Sequence, residues 1–285
     1  MLAPKISPAI SDSISPPLLA RAGQAGAGLP GWCTPAATEI LGCALPHLGL
    51  GDRLLLRALA LFARCQILAI HGLNHIPSAG DPFILAANHS TRRESVLVPA
   101  LVLLSRGGRR VHFLADWTFR LIPGVGLIYR RAEVVTVLGK RARPRFLNAL
   151  KPLYERSLRP FEQARQHLLA GRSVGIFPEG TVNRDPEQLL RGRRGAARLS
   201  LETGAPVVPM GIRFPTVARG QPIPSHAVME LHIGAPLVPP APSAERAALS
   251  AVSEWHAAIM TAIARYSGKS WSHTCWRGAA EEAVP

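Results

Sequence analysis

The chain has 285 residues, a length that suits one large domain or two small ones and buries roughly 70–75% of its extended-chain surface without a disulfide or metal staple. Hydrophobic residues at 47% exclude a wholly disordered chain, and 33 Lys+Arg against 18 Asp+Glu give a formal net charge of +15, which calls for an anionic partner: nucleic acid, an anionic membrane or a phosphorylated substrate. The cysteines Cys33, Cys43, Cys65 and Cys275 form no CxxC pair, which argues against a zinc module or a small disulfide scaffold and for free thiols in a reducing compartment.

Residues 1–31 are rich in Ala, Gly, Pro and Ser and read as a disordered leader without the apolar core of a signal peptide. Residues 32–66 follow as a helical segment in two pieces. From residue 67 strands and helices alternate. Strands are predicted over 66–71, 82–87, 110–115, 132–137, 173–177, 206–212 and 228–233, and helices over 94–105, 145–170, 194–201 and 244–266. The alternation predicts a single α/β domain over 67–266, with a central, mostly parallel sheet flanked by helices and preceded by the amphipathic N-terminal segment. Residues 267–285 are polar and are expected to be loose, with Trp271 and Trp276 belonging to that tail. The longest apolar run, 95–105, is closed by Glu94 and Arg106 and is too short to span a bilayer, which needs about 20 residues.

On a helical wheel of 52–66, Arg53, Arg57 and Arg64 fall within 40° of one another, while Leu54, Leu55, Leu59, Leu61 and Phe62 spread over the opposite side. Two readings stand: a helix packed on the core with its arginines in water, or an interfacial membrane helix. Between 140 and 172 lie Lys140, Arg141, Arg143, Arg145, Lys151, Arg156, Arg159, Arg165 and Arg172 against Glu155 and Glu162. That excess suits either a solvated helix face or an anionic lipid surface. Aromatics are 6% of the chain, and no stacking platform or zinc-finger pattern points to nucleic acid.

His89 follows the apolar strand and stands five residues before Glu94, in the first turn of the next predicted helix. A carboxylate there can fix the imidazole tautomer and leave the other ring nitrogen as a base. The spacing alone is weak, since ten histidines give about 0.6 chance pairs with an acid five residues on. His47 and Asp52 share it, but Pro46 and two glycines place them in a linker, and they read as structural. Thr91 and Glu94 also fit a capping box, with Thr91 as N-cap and Glu94 at N3, a role compatible with a dyad. A second motif, Phe177-Pro178-Glu179-Gly180-Thr181, follows the strand over 173–177 and offers a tight turn, an acceptor and a hydroxyl. His71 and His75 lack a third ligand and read as structural, so no metal site is predicted.

Four ordered blocks within 67–233 carry a resemblance. The first joins His71-Gly72-Leu73-Asn74-His75-Ile76-Pro77 and the strand over 83–87 to Asn88-His89. The second is Gly124-Val125-Gly126-Leu127-Ile128-Tyr129-Arg130. The third is 177–181, followed by Arg193-Arg194-Gly195-Ala196-Ala197. The fourth is Val207-Val208-Pro209-Met210-Gly211-Ile212. Together they resemble the glycerolipid acyltransferases typified by 1-acylglycerol-3-phosphate acyltransferase. The resemblance implies His89 as general base, Glu94 as its partner carboxylate, Arg130 as the binder of an anionic head group, and Glu179, Gly180 and Thr181 as residues shaping the acceptor site. It implies acyl-CoA or acyl-carrier protein as co-substrate, no cofactor or metal, a lysophospholipid acceptor, a role in phospholipid biosynthesis, an anionic membrane surface as partner, and a peripheral location on the cytoplasmic face of the membrane.

Two departures bear on this. The family usually has Asp where this chain has Glu94; a 1 Å misplacement at a reacting centre can cost about 100-fold. Val182 stands where the family often has Arg after Gly-Thr, so Arg184 is the candidate to substitute for it. The alternatives are a non-catalytic lipid-binding relative, an acyltransferase for a lipid alcohol without phosphate, and a basic nucleic-acid-binding protein.

Overall fold

The computed structural model describes residues 32–33, 35–77, 82–122, 124–139, 141–142, 144–154, 158–240 and 248–273. The expected leader, the tail beyond 273 with Cys275 and Trp276, and Lys140, Arg143, Glu155 and Arg156 lie outside them.

The elements, in chain order, are β1 (Trp32–Cys33), α1 (Ala37–Gly42), α2 (Leu50–Arg64), β2 (Ile67–His71), β3 (Ile84–Ala87), α3 (Glu94–Ser105), β4 (Val111–Asp116), α4 (Val125–Arg131), β5 (Val135–Val137), α5 (Pro160–Leu169), β6 (Ser173–Ile176), α6 (Gly195–Thr203), β7 (Val207–Arg213), β8 (Met229–Ile233) and α7 (Leu249–Ser267). The strands form one sheet in the order β1-β2-β8-β7-β3-β6-β4-β5. Its β7-β3-β6-β4-β5 portion is parallel throughout; β8 runs antiparallel to β7, and β1 to β2. The expected α/β class and mostly parallel sheet are present. β1 is new: two residues carry no period a sequence reading can detect.

All four residues of β3 are buried, as a central parallel strand covered on both faces requires. Alternate side chains divide between two cores. Leu85 and Ala87 join Leu97, Val98 and Leu101 of α3, while Ile84 and Ala86 join residues of α5, α6 and α7. A third cluster packs Ile40 of α1 and Leu56 and Ala60 of α2 onto Ala100 and Leu104 of α3.

Two expectations fail. The single helix over 145–170 is two elements: a 3-10 helix, Arg145–Tyr154, and α5, which starts at Pro160. The pyrrolidine ring disfavours helical geometry at Arg159, which is extended (φ −61°, ψ 147°), while Pro160 itself suits a first helical turn. The tail is also not loose where it is described. Gly268 closes α7 in a left-handed conformation (φ +70°), with its N–H bonded to Ala264. The chain then docks against the loop that follows β6: Ser270 N donates to Glu187 O at 2.7 Å, and Leu189 N to Ser270 O at 2.9 Å.

This docking depends on a close approach of α7 to β7. A Cβ on Gly211 would lie 2.0 Å from the carbonyl carbon of Tyr266 and 2.1 Å from Ser267 N. Backbone atoms there cannot move without shifting the last turn of α7. Gly211→Ala is expected to lower stability by about 3 kcal/mol, read as a fall in the urea midpoint at unchanged m-value.

Candidate active site

The end of β3 is fixed before any chemistry begins. Asn88, fully buried, donates from Nδ2 to Ile212 O at 3.1 Å and accepts at Oδ1 from Ile212 N at 2.6 Å, extending the β3–β7 ladder by one side chain. His89 N donates to Glu179 Oε1 at 3.0 Å, and Asn183 N donates to His89 O at 2.7 Å. The loop after β3 is thereby tied to the loop after β6.

The imidazole of His89 stacks on Phe177, with centroids 4.5 Å apart and planes 26° from parallel. Its Nδ1 lies 2.9 Å from Glu94 Oε2. The same oxygen accepts from Ser90 N at 2.8 Å, and Oε1 accepts from Thr91 N at 2.8 Å. Glu94 is fully buried at the first position of α3, where the helix dipole favours a carboxylate. Facing an acceptor, Nδ1 carries the proton, which leaves the Nε2 lone pair for a substrate. The extra methylene of Glu94 is absorbed locally, because the side chain folds back over Ser90 and Thr91. The capping box is half built: Glu94 takes the Thr91 N–H, but Thr91 Oγ1 is buried without a hydrogen-bond partner, and Arg93, in helical conformation, occupies the N-cap position.

His89 opens onto a cavity of about 400 Å³ walled largely by apolar side chains, among them Leu55, Leu59, Val96, Leu103, Phe113 and Ile128. Gly180 and Thr181 line it too. The other expected contacts do not. Arg130 is exposed and is not among the lining residues; Arg131, one position on, is, and pairs with Asp52. Arg184 is exposed and its guanidinium reaches Ser225 Oγ at 3.4 Å. Glu179 is buried behind the cavity and serves as a brace: besides His89 N, it accepts from Asn183 Nδ2 at 2.8 Å and Leu190 N at 2.9 Å. Burial pushes its carboxyl above the ordinary range, and those three donors and the charge of Lys269 pull it back.

Two residues with no role assigned from sequence belong here. Arg193 lines the cavity beside Gly180 and, unlike Arg110 and Arg131 on the same wall, has no carboxylate partner among the described residues. Lys269 is buried, with Nζ bonded to Ser90 Oγ at 3.0 Å and Asp185 O at 2.6 Å. Arg193 stood inside a recognised block; nothing in the sequence points from Lys269 to a site about 180 residues away.

His47 is exposed and Asp52 is engaged with Arg131 and Arg110, so those two form no dyad. His75 Nδ1 lies 2.9 Å from Ile233 O. His71, Glu230 and His232 cluster on β2 and β8, but the two rings stack 18° from parallel at 4.3 Å, so their in-plane lone pairs run side by side and do not converge on one ion.

A family model for acyltransferases matches residues 67–213, the stretch from β2 through β7. The chain belongs to the Acyltransferase family. Its fold is also similar to that in the crystal structure of the 1-acyl-sn-glycerophosphate (LPA) acyltransferase PlsC from Thermotoga maritima, at a TM-score of 0.50 and 19% identity, covering 82% of this chain and 88% of that one. No curated protein matches the chain.

In this acyltransferase, Glu94→Gln keeps the size of the side chain but turns one oxygen into a donor facing N–H groups. Turnover is expected to fall about 100-fold, with a stability loss of about 1–3 kcal/mol from the unmet backbone donors. Melting temperature and rate measured on one preparation separate the two effects; unchanged turnover per folded molecule would remove Glu94 from the dyad.

Proposed function

We propose that the protein moves a fatty acyl group from acyl-CoA or acyl-carrier protein to the hydroxyl of a lysophospholipid such as 1-acylglycerol-3-phosphate. The observation that carries this reading is the His89–Glu94 pair at the wall of a largely apolar cavity. In the proposed reaction His89 Nε2 takes the acceptor's hydroxyl proton as the oxygen attacks the thioester carbonyl. Glu94 stabilises the imidazolium that forms. The tetrahedral adduct collapses with loss of the thiol, which recovers the proton from Nε2. No bound cofactor or metal enters these steps. The apolar wall suits an acyl chain, and Arg193 suits the anionic group of the acceptor or donor, because a guanidinium without a carboxylate partner is free to fork onto phosphate.

The reading places the protein peripherally at the cytoplasmic face of the membrane, within phospholipid biosynthesis. Among the described residues no helix is long and apolar enough to cross a membrane. The surface of α2 supports interfacial contact, with Arg64 exposed in its last turn but Arg53 and Arg57 taken up within the fold. Arg53 and Arg57 bond to the carbonyls of Leu48 and Cys43. The outward row is Leu50, Leu54, Ala58 and Phe62, spaced four apart, with Leu50 at 74% and Phe62 at 52% exposure. The same helix puts Leu55 and Leu59 on the cavity wall, so a lipid leaving a bilayer would pass along one element.

His89→Ala is expected to lower acyl transfer by about 1000-fold or more with an unchanged melting curve, while His47→Ala keeps its activity. Purified protein given acyl-CoA or acyl-carrier protein and a panel of lysolipids identifies the acceptor by which lysolipid disappears; turnover of none would favour a non-catalytic lipid binder. For the membrane, flotation with anionic phospholipid vesicles is expected to show binding that high salt weakens and that Leu54→Asp with Phe62→Asp largely abolishes. Binding indifferent to that double substitution would move the contact elsewhere on the surface.

A further inference from the structure

One buried charge at this site has no part in the proton transfer described above. Lys269 stands two residues past the end of α7 and is 7% exposed. It is not among the cavity-lining residues. Its Nζ is held by Ser90 Oγ and the Asp185 carbonyl, at 3.0 and 2.6 Å. Burial alone would strip the proton from such an amine, and burial does lower its proton affinity; the carboxylates of Glu179, Glu94 and Asp185 act against that loss.

Two of those carboxylates set the geometry of His89. Glu94 holds the ring through Nδ1, and Glu179 holds the backbone N–H. Both are buried, at 0% and 6% exposure, and a buried carboxylate without a cation near it takes up a proton more readily. The hydroxyl that Lys269 grips belongs to Ser90, the residue next to the base, whose N–H Glu94 also accepts.

Resting on the acyl-transfer reading of His89, we propose that Lys269 is a positioning residue of the active site. It is the buried cation that balances Glu94 and Glu179 and, through Ser90, clamps the loop that carries the base. It reaches no substrate and acts through the two carboxylates. With Lys269 charged, the group formed by Lys269, Glu94 and Glu179 carries one net negative charge, ready to stabilise an imidazolium. Without that cation it carries two and takes up a proton more readily. The proton goes either to the imidazole, which ceases to be a base, or to a carboxylate, which releases the imidazole. Both outcomes remove the working form from the acid side. The remaining charges around the group stay in place: Asp185 on the loop after β6, Arg213 on β7 beside Gly268, and Arg193 beside Gly180.

The test is Lys269→Gln, which removes the charge and retains donors for Ser90 Oγ and the Asp185 carbonyl, compared with Lys269→Arg. For the full chain assayed with acyl-CoA and 1-acylglycerol-3-phosphate, the acidic limb of the kcat/KM profile is expected to rise by about one pH unit in Lys269→Gln. At the low end of the profile the rate falls about tenfold, with KM little changed, and Lys269→Arg returns the limb to its original position even if its rate is lower. A loss of the same factor at every pH, with the limb unmoved, would make Lys269 a structural tie and overturn the proposal. A measurement on the unaltered chain stands apart from both folding of the variant and turnover: lysine side-chain NMR should show the Lys269 ammonium charged at pH 7. A neutral amine there overturns the proposal even if acyl transfer is confirmed. A charged amine in a chain that turns over no lysolipid, with the His89 ring titration shifted in Lys269→Gln, would leave the positioning role intact and overturn the acyl-transfer reading instead.

Discussion

The carboxylate of Glu179 is the constraint on which the site depends. It is buried, and it satisfies donors from three separate stretches of chain: His89 at the end of β3, Asn183 in the loop after β6, and Leu190 further along that loop. The His89 N–H would otherwise be a buried donor without a partner, which costs about 1–3 kcal/mol; Asn183 Nδ2 is shared with Gln188 O, and the Leu190 bond is part-buried. One anion therefore converts two neighbouring loops of a parallel sheet into a rigid platform. The return bond from Asn183 N to His89 O closes the link from the other side. His89 has its backbone fixed by one carboxylate and its ring by another, and this division of labour leaves only Nε2 free to do chemistry.

The architecture explains why the site lies where it does. In a parallel sheet every strand ends at the same edge, and the loops after β3 and β6, which are adjacent strands, meet there. The dyad comes from the first loop, the brace and the turn with Gly180 and Thr181 from the second. The cavity runs away from this edge between α2, α3, β4 and α4. The α2–α3 packing supplies part of the cavity wall while leaving the outer row of α2 uncovered. The same helix thus serves the core, the cavity and the surface on three different faces.

Charge has two distinct jobs in this molecule. The overall excess of cations acts at long range and is screened by salt; in the proposed function it would serve attraction to an anionic surface. At the cavity wall a few part-exposed charges act at short range, and the partner within reach decides what each can do. Arg131 and Arg110 are spent on Asp52 and Glu133 and stiffen the cavity wall. Arg193 is not paired in that way. Counting arginines in the sequence cannot separate these roles, because each is set by which carboxylate lies within reach.

Much of the fold was written in local pattern. Short apolar runs separated by amphipathic stretches dictate a covered parallel sheet, and strand positions from β2 to β8 follow from them. His89 and Glu94 were legible because strand end, dyad and helix start lie within the eight residues 87–94, so local geometry alone brings them together. The break before α5 was also written in Pro160, though the basic, helix-favouring run around it obscured the signal. What the sequence could not decide was side-chain direction and long-range contact. Arg130 and Arg131 differ by 100° of helix rotation, and only the packing of α4 turns Arg131 to the cavity and Arg130 to solvent. Glu179 reads as an acceptor for substrate until the loop from β3 folds against it. Lys269 lies in a polar tail with no period or motif, and its place beside Ser90 exists only because Gly211 admits α7 close to the sheet and Gly268 turns the chain inward. Those contacts join residues far apart in the chain, and their energy comes from burial and pairing that no local stretch contains.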